Sequence, residues 1–146
     1  MPRMLMQKVI PMGYAPVLAL EGYARRSNDK TTYEIIKIRA SALNGCGYCL
    51  AMHTRDARAE GESEARIESL QNDWRDADLW SPAEEAALAL TDEVTRLGEG
   101  GVSDTAWDSA IRHWGEKGTG HLIIAICTIN VWNRIAISTG LTAADL

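Results

Sequence analysis

Read as a pattern of apolar and polar positions, the chain is a succession of helices. Residues 1–13 form a mixed apolar lead-in to which no element is assigned. Pro16 is suited to open a helix from the first-turn position, where its missing N–H costs nothing. Val17, Leu18, Leu20, Tyr23 and Ala24 then supply a buried side, up to Ser27-Asn28. Thr31-Thr32-Tyr33-Glu34 starts the next helix; Ile35, Ile36, Ile38, Ala42 and Leu43 line it, and Asn44-Gly45 stops it. A third helix runs to Gly61, and Ser63 caps a shorter one holding Ile67 and Leu70. Residues 73–80 read as a polar, Trp-bearing connection.

The second half is similarly punctuated. Ser81-Pro82-Ala83-Glu84 combines an N-cap, a first-position proline and a glutamate three residues after the cap. That helix carries Ala83, Ala86, Ala87, Leu90, Val94 and Leu97 and stops at Gly98, where a turn runs to Gly101. Ser103 or Asp104 caps a helix with Trp107, Ala110, Ile111 and Trp114, stopped at Gly115. The last helix, about 119–139, is the most apolar, with Leu122-Ile123-Ile124-Ala125-Ile126-Cys127 at its heart. Asn130, Asn133 and Arg134 interrupt it well short of the roughly 20 apolar residues of a membrane span. A helix apolar on most sides belongs at the centre of a bundle. Its β-branched run has no strand partner elsewhere in the chain. The expectation is an all-α fold: a single-domain helical bundle of six or seven helices over residues 1–146, with no internal repeat.

Composition narrows the function classes. The chain has 146 residues, 46% hydrophobic and 24% charged, with a net charge of −5. Its length allows a real core, and no cluster of Lys and Arg suggests nucleic acid or an anionic membrane. Three cysteines are too few, and odd in number, for a secreted disulfide scaffold. Pro11 and Pro16 break up any signal-type apolar block. The expected setting is soluble and cytoplasmic.

The chemistry concentrates in Asn44-Gly45-Cys46-Gly47-Tyr48-Cys49-Leu50-Ala51-Met52-His53. The preceding helix ends at Asn44-Gly45, so the cysteines sit at or near a helix N-terminus. Unpaired N–H groups and the positive end of the helix dipole favour a thiolate there. Residues three and four apart share a helix face, which puts Cys46, Cys49 and His53 on one stripe. Such a Cys-x-x-Cys is a redox pair, half of a zinc site or a coincidence. Zinc needs two further ligands, and only His53, Cys127, His113 and His121 remain. His53 is a base able to take a thiol proton near neutral pH, or a buried core histidine.

Other polar residues carry weaker signals. Thr31-x-x-Glu34 matches a capping box, and periodicity alone assigns Glu34 to the start of its own helix. Cys127, among Ile and Ala, reads as a small buried hydrophobe with an inert thiol. Asn130, Trp132, Asn133 and Arg134 lean toward a site or a subunit interface, or are solvated near the helix end. His113 and His121 read as surface or capping residues.

Glu34, Cys46-Gly47-Tyr48-Cys49 and His53 together resemble the alkylhydroperoxidase D (AhpD)-like family of the carboxymuconolactone decarboxylase superfamily. The core motif spans residues 34–61, and similarity extends through Ser81-Pro82-Ala83-Glu84 to Ile129-Asn130-Val131-Trp132-Asn133-Arg134. The decarboxylase branch shares the fold but lacks the cysteine pair, so its activity is not implied. The resemblance implies an all-helical subunit, a homo-oligomer (trimer or hexamer), and peroxidase activity without a cofactor or metal. It also implies that Glu34 joins His53 in a proton relay to the thiols, against the capping assignment. The best-studied members carry a second histidine where this chain has Tyr48. Tyrosine is a poor base at neutral pH, so the relay here rests on Glu34 and His53 alone.

The reading that follows is a thiol-dependent peroxidase. Cys49 is the peroxidatic cysteine and Cys46 the resolving one; a hydroperoxide is the oxidising substrate and a dithiol the reductant. The dipole argument by itself favours Cys46 as the attacking thiolate, whereas the resemblance and the i+4 relation to His53 favour Cys49. Two rivals are a general thiol–disulfide oxidoreductase or redox sensor, and a non-catalytic helical module with a metal or structural thiol site.

Overall fold

Helix α3 (Lys30–Asn44) is the element against which most of the others pack, and the computed structural model describes all residues from Met1 to Leu146. The remaining helices are α1 (Met6–Val9), α2 (Pro11–Ser27), α4 (Gly47–Ala59), α5 (Glu64–Gln71), α6 (Pro82–Thr95) and α7 (Asp104–Thr139). There are no strands, only an isolated bridge between Gly98 and Gly101 in the turn after α6. The all-α expectation and the helix number hold.

Buried residues line α3 on nearly every side, from Thr32 through Ser41 with only Glu34 partly exposed. One flank, Tyr33, Ile36 and Ala40, joins Leu90 of α6 and Leu122, Ala125, Ile126 and Ile129 of α7, and this cluster includes both Cys46 and Cys49. The other flank, Ile35 and Ile38, packs with Ile67, Leu70, Trp74, Trp80 and Leu88. Two cations therefore had to be buried. Arg39 is neutralised by Asp92 and by the Leu70 and Asn72 carbonyls. Lys37 is neutralised by Glu21 of α2 at 2.5 Å. A buried charge persists only when paired in this way.

The helix ends explain most boundaries. Ser81 and Glu84 close a full capping box at the start of α6, and Ser103 caps α7. Gly115 (φ 68°, ψ 176°) leaves the helical conformation, so α7 is two helical segments meeting at a kink there, where the sequence places the end of one helix. By length and composition α7 is apolar enough to cross a membrane, yet its Leu122–Ile129 face is packed into the core beside α3.

Several expectations need correction. α2 begins at Pro11, which takes the first-turn position, and Pro16 lies inside the helix, where one backbone donor is missing. Leu18 and Tyr23 of α2 are exposed, and Ala24 is its one buried residue. The connection after α5 is a 3-10 turn that buries Trp74, while Trp80 beyond it is also buried. Arg75 and Arg66 stack on those rings at 4.2 and 4.1 Å, so cations cover the indoles. Cys127 is exposed, because it falls on the outer face of α7.

Candidate active site

The thiol pair is placed by a corner between two helices. Gly45 adopts the left-handed conformation (φ 68°, ψ 30°) that only glycine takes without strain, and the Cys46 N–H turns back to the Ser41 carbonyl at 3.0 Å. Cys46 then becomes the N-cap of α4, its Sγ accepting the Cys49 N–H at 3.4 Å. Sulfur thus occupies the role usually given to a serine or aspartate oxygen, at the end of the helix where negative charge is stabilised. The thiols are 2% and 1% exposed, and no disulfide joins them.

Electrostatics separates the two. The Cys49 thiol bonded to Cys46, with the Cys49 and Tyr48 N–H groups and the Asn133 amide, outweighs burial and brings Cys46 down to about 7. That same bond, burial and the neighbouring Cys46 charge push the Cys49 thiol up. Of the two thiols, Cys46 is therefore the more readily ionised.

Access separates them the other way. A cavity of about 350 Å³ is walled by Cys49 and His53, with Tyr14, Met52, Trp132 and Leu141 supplying much of its apolar surface; Cys46 lies behind Cys49, away from it. Across this cavity the Glu21–Lys37 pair is held by the Trp132 indole N–H, which donates to Glu21 at 2.8 Å. Burial draws the Lys37 pKa down while the Glu21 carboxylate opposes it.

His53 lies one turn beyond Cys49, and its Nδ1 pairs with Glu34 Oε2 at 3.0 Å across α3 and α4. That bond fixes the ring and leaves Nε2 for proton exchange. Glu34 is free for it because Asp29, not Thr31, caps α3, its carboxylate accepting the Thr32 N–H at 2.9 Å. The capping-box assignment of Glu34 is therefore wrong. The residues suited to a cation are Glu34, His53 and Asp56, whose ligand atoms lie within 4.8 Å of one another. No cysteine belongs to that group, which removes the geometric basis of a thiol zinc site; His121 is instead packed edge-on against Tyr23.

The structure thus brings together Glu34, Cys46, Cys49 and His53. Sequence reasoning missed Glu21, Lys37 and Asn44 as neighbours of the site. Asn44 was legible only as a helix stop, and nothing in the spacing of Glu21 and Lys37 announces their pairing.

Comparison with known proteins agrees with this arrangement. Residues 14–93 match the model of the carboxymuconolactone decarboxylase family. The chain is 40% identical over 139 residues to the uncharacterized protein YdfG of Bacillus subtilis, covering 94% of each. It is 32% identical over 76 residues to the alkyl hydroperoxide reductase AhpD of Corynebacterium aurimucosum, spanning 52% of this chain and 40% of that one. Among solved structures, it superposes on ATU0492 of Agrobacterium tumefaciens, a protein of unknown function suggested to be an AhpD antioxidant defence protein. The TM-score is 0.91 at 33% identity, over 96% of both chains. A peroxidase-related protein of Ralstonia eutropha with an AhpD core shares the fold at 19% identity, with a TM-score of 0.81 over 96% of this chain and 75% of that one. With its fold, its Glu–Cys-x-x-Cys–His constellation and these relatives in agreement, the chain belongs to the carboxymuconolactone decarboxylase family, in its AhpD-like branch.

Proposed function

We propose that this protein is a thiol peroxidase that reduces hydroperoxides through a Cys46–Cys49 disulfide. The observation that carries the reading is the division of labour within the pair: Cys49 faces the cavity beside His53, and Cys46, one turn behind it, is the more readily ionised. In the first step His53 Nε2 takes up the proton that the thiol pair gives up, with Glu34 holding the ring. A hydroperoxide enters the cavity and Cys49 Sγ attacks its distal oxygen, passing its own proton to Cys46 along their hydrogen bond. The O–O bond breaks, the leaving alkoxide takes the proton from His53, and Cys49 becomes a sulfenic acid. Cys46 then attacks Cys49 Sγ and hydroxide leaves, taking up the Cys46 proton as water. Two thiols and one peroxide give one disulfide, one alcohol and one water.

The depressed pKa of Cys46 also favours a second reading, a general thiol–disulfide oxidoreductase. An incoming dithiol would attack the cavity-facing Cys49 and expel Cys46, the better leaving group. The same exchange regenerates the peroxidase, so the readings differ only in what oxidises the pair. The exposed apolar side chains of α1, α2 and the residue between them (Val9, Ile10, Met12 and Leu18) support a homo-oligomer.

The test is a thiol count with intact mass before and after one equivalent of organic hydroperoxide. Loss of two thiols with a mass drop of about 2 Da, as one S–S bond closes, supports the peroxidase. If all thiols survive peroxide but the pair oxidises with a disulfide substrate, the second reading replaces it. In Cys46→Ser, a sulfenic acid trapped on Cys49 is expected; a sulfenic acid on Cys46 in Cys49→Ser, with none on Cys49 in Cys46→Ser, would reverse the assignment of the two cysteines.

A further inference from the structure

One face of α4 brings a second kind of ligand chemistry to the cavity. His53 and Asp56, three residues apart, share that face, and both line the cavity. Glu34 reaches them from α3 through its bond to His53 Nδ1. The mechanism above uses Glu34 and His53 as a proton couple and leaves Asp56 without a task. Glu34 has no ion-pair partner besides His53, and Lys37, the next cation along α3, is engaged by Glu21. Asp56 has only Arg55, in a pair whose side chains are 42% and 63% exposed. An ion pair so open to water is worth little. Two carboxylates therefore converge on one imidazole with little positive charge to balance them.

The three groups are close enough to hold one ion. A ligand atom of each lies within 4.8 Å of the other two. Bonds of about 2.1 Å to nitrogen and oxygen set the ligand atoms of a tetrahedral site about 3.4 Å apart. Glu34 Oε2 and His53 Nδ1 already stand at 3.0 Å. The half-exposed Asp56 carboxylate is free to swing the remaining distance, while His53, 6% exposed, is the fixed member. One imidazole and two carboxylates suit a borderline divalent ion such as Zn²⁺ or Co²⁺. Ca²⁺ asks for roughly six to eight oxygens and is poorly served here. Three protein ligands leave a fourth position open, as in an accessible zinc site.

We propose that Glu34, His53 and Asp56 form a site for a zinc-like divalent cation, and that filling it silences the thiol pair. The ion takes the lone pairs that Glu34 and His53 otherwise share with a proton, since metal ligands must be deprotonated. A metal-bound ring no longer takes up the thiol proton, and Cys49 loses its base. Nothing is oxidised or reduced: the ion enters, any proton on the ligand atoms leaves to solvent, and a chelator reverses both. The site stands on its three ligands alone, whereas its effect on turnover rests on the peroxidase reading.

The experiment titrates Co²⁺ alone into the full chain carrying Cys46→Ser, Cys49→Ser and Cys127→Ser, so that no thiol competes for the ion. One equivalent should bind, with the visible absorbance of nitrogen and oxygen ligands, and Zn²⁺ should displace it. Adding Asp56→Asn should weaken binding by about tenfold or more, since loss of even an outer-shell group costs that much. His53→Ala should abolish it. If His53→Ala fails to fold, Asp56→Asn, a conservative change at a half-exposed side chain, carries the test. No binding, or equal binding in Asp56→Asn, overturns the site. In the chain with its cysteines intact, Zn²⁺ should slow hydroperoxide turnover until a chelator is added, and Asp56→Asn should need about tenfold more zinc for the same effect. Equal zinc sensitivity would place the inhibiting ion on the thiols and overturn the silencing. A chain that binds Co²⁺ as expected but is inert to hydroperoxide rejects the peroxidase and leaves the site standing; an active peroxidase that binds no Co²⁺ does the reverse.

Discussion

Helices α3 and α6 begin with the same sequence signature, Thr31-x-x-Glu34 and Ser81-x-x-Glu84, and use their glutamates for different ends. In α6 the box closes: Ser81 Oγ accepts the Glu84 N–H at 3.2 Å, and the Glu84 carboxylate accepts the Ser81 N–H at 2.9 Å. Arg66 then holds Glu84 in place at 2.6 Å. In α3 the helix starts two residues earlier than that box would have it, because Asp29 provides the cap. Glu34 falls a full turn inside, opposite α4, and meets His53 instead. The difference is two residues of register. A glutamate relieved of capping is available for proton transfer, and one engaged in a box is held by its own helix.

The largest effect that would break this comparison is on turnover. Glu34→Gln removes the carboxylate that orients His53 and is expected to lower peroxide kcat/KM by about 10²-fold or more, the usual range for an acid–base group. Its melting temperature should change little. Glu84→Ala should do the reverse, leaving turnover intact while costing about 1–2 kcal/mol in a urea titration, from the lost box and the lost Arg66 pair. A common loss of activity in both variants would erase the contrast. Asp29→Ala comes next, at about 1 kcal/mol. This variant also asks whether Glu34 stays on His53 when its helix loses the cap: unchanged turnover says it does.

The smallest effect is in the pH dependence. Burial alone would raise the Glu84 pKa, but Arg66 and the Ser81 N–H bring it below its ordinary 4.5. A depressed carboxyl stabilises the fold fully above its unfolded pKa and loses that contribution as pH falls through the folded one. Stability of the native chain should therefore decline more steeply below about pH 4.5 than that of Glu84→Gln. Equal slopes would show that the box is closed by geometry alone.

These cases show what the sequence could and could not carry. Ser81-Pro82-Ala83-Glu84 was legible because all its partners lie within four residues. Glu34 was not, because Thr31 and Asp29 are both competent caps and only the packing of α3 on α4 decides between them. The Cys46–Cys49–His53 stripe followed from helical spacing, and the resemblance supplied Glu34. Burial of Lys37 and Arg39 was invisible, since their counter-charges, Glu21 and Asp92, stand 16 and 53 residues away. Cys127 was misjudged because an apolar run on a long helix does not say which side faces out. Asn133 was noticed as polar in an apolar helix, but its partners Ser41 and Asn44 lie on a different helix.

The contrast between one exposed and two enclosed cysteines has a practical corollary. A bulky thiol reagent should mark Cys127 at once and find Cys46 and Cys49 only when α4 loosens from α3. If reclosing outruns labelling, the slow rate measures the free energy of that opening rather than the reactivity of sulfur. The protein therefore carries an internal clock for its own breathing. Comparing that clock between the reduced and disulfide-blocked forms, by the amides of α4 in hydrogen exchange, would show whether turning over the thiols also stiffens the helix that bears them.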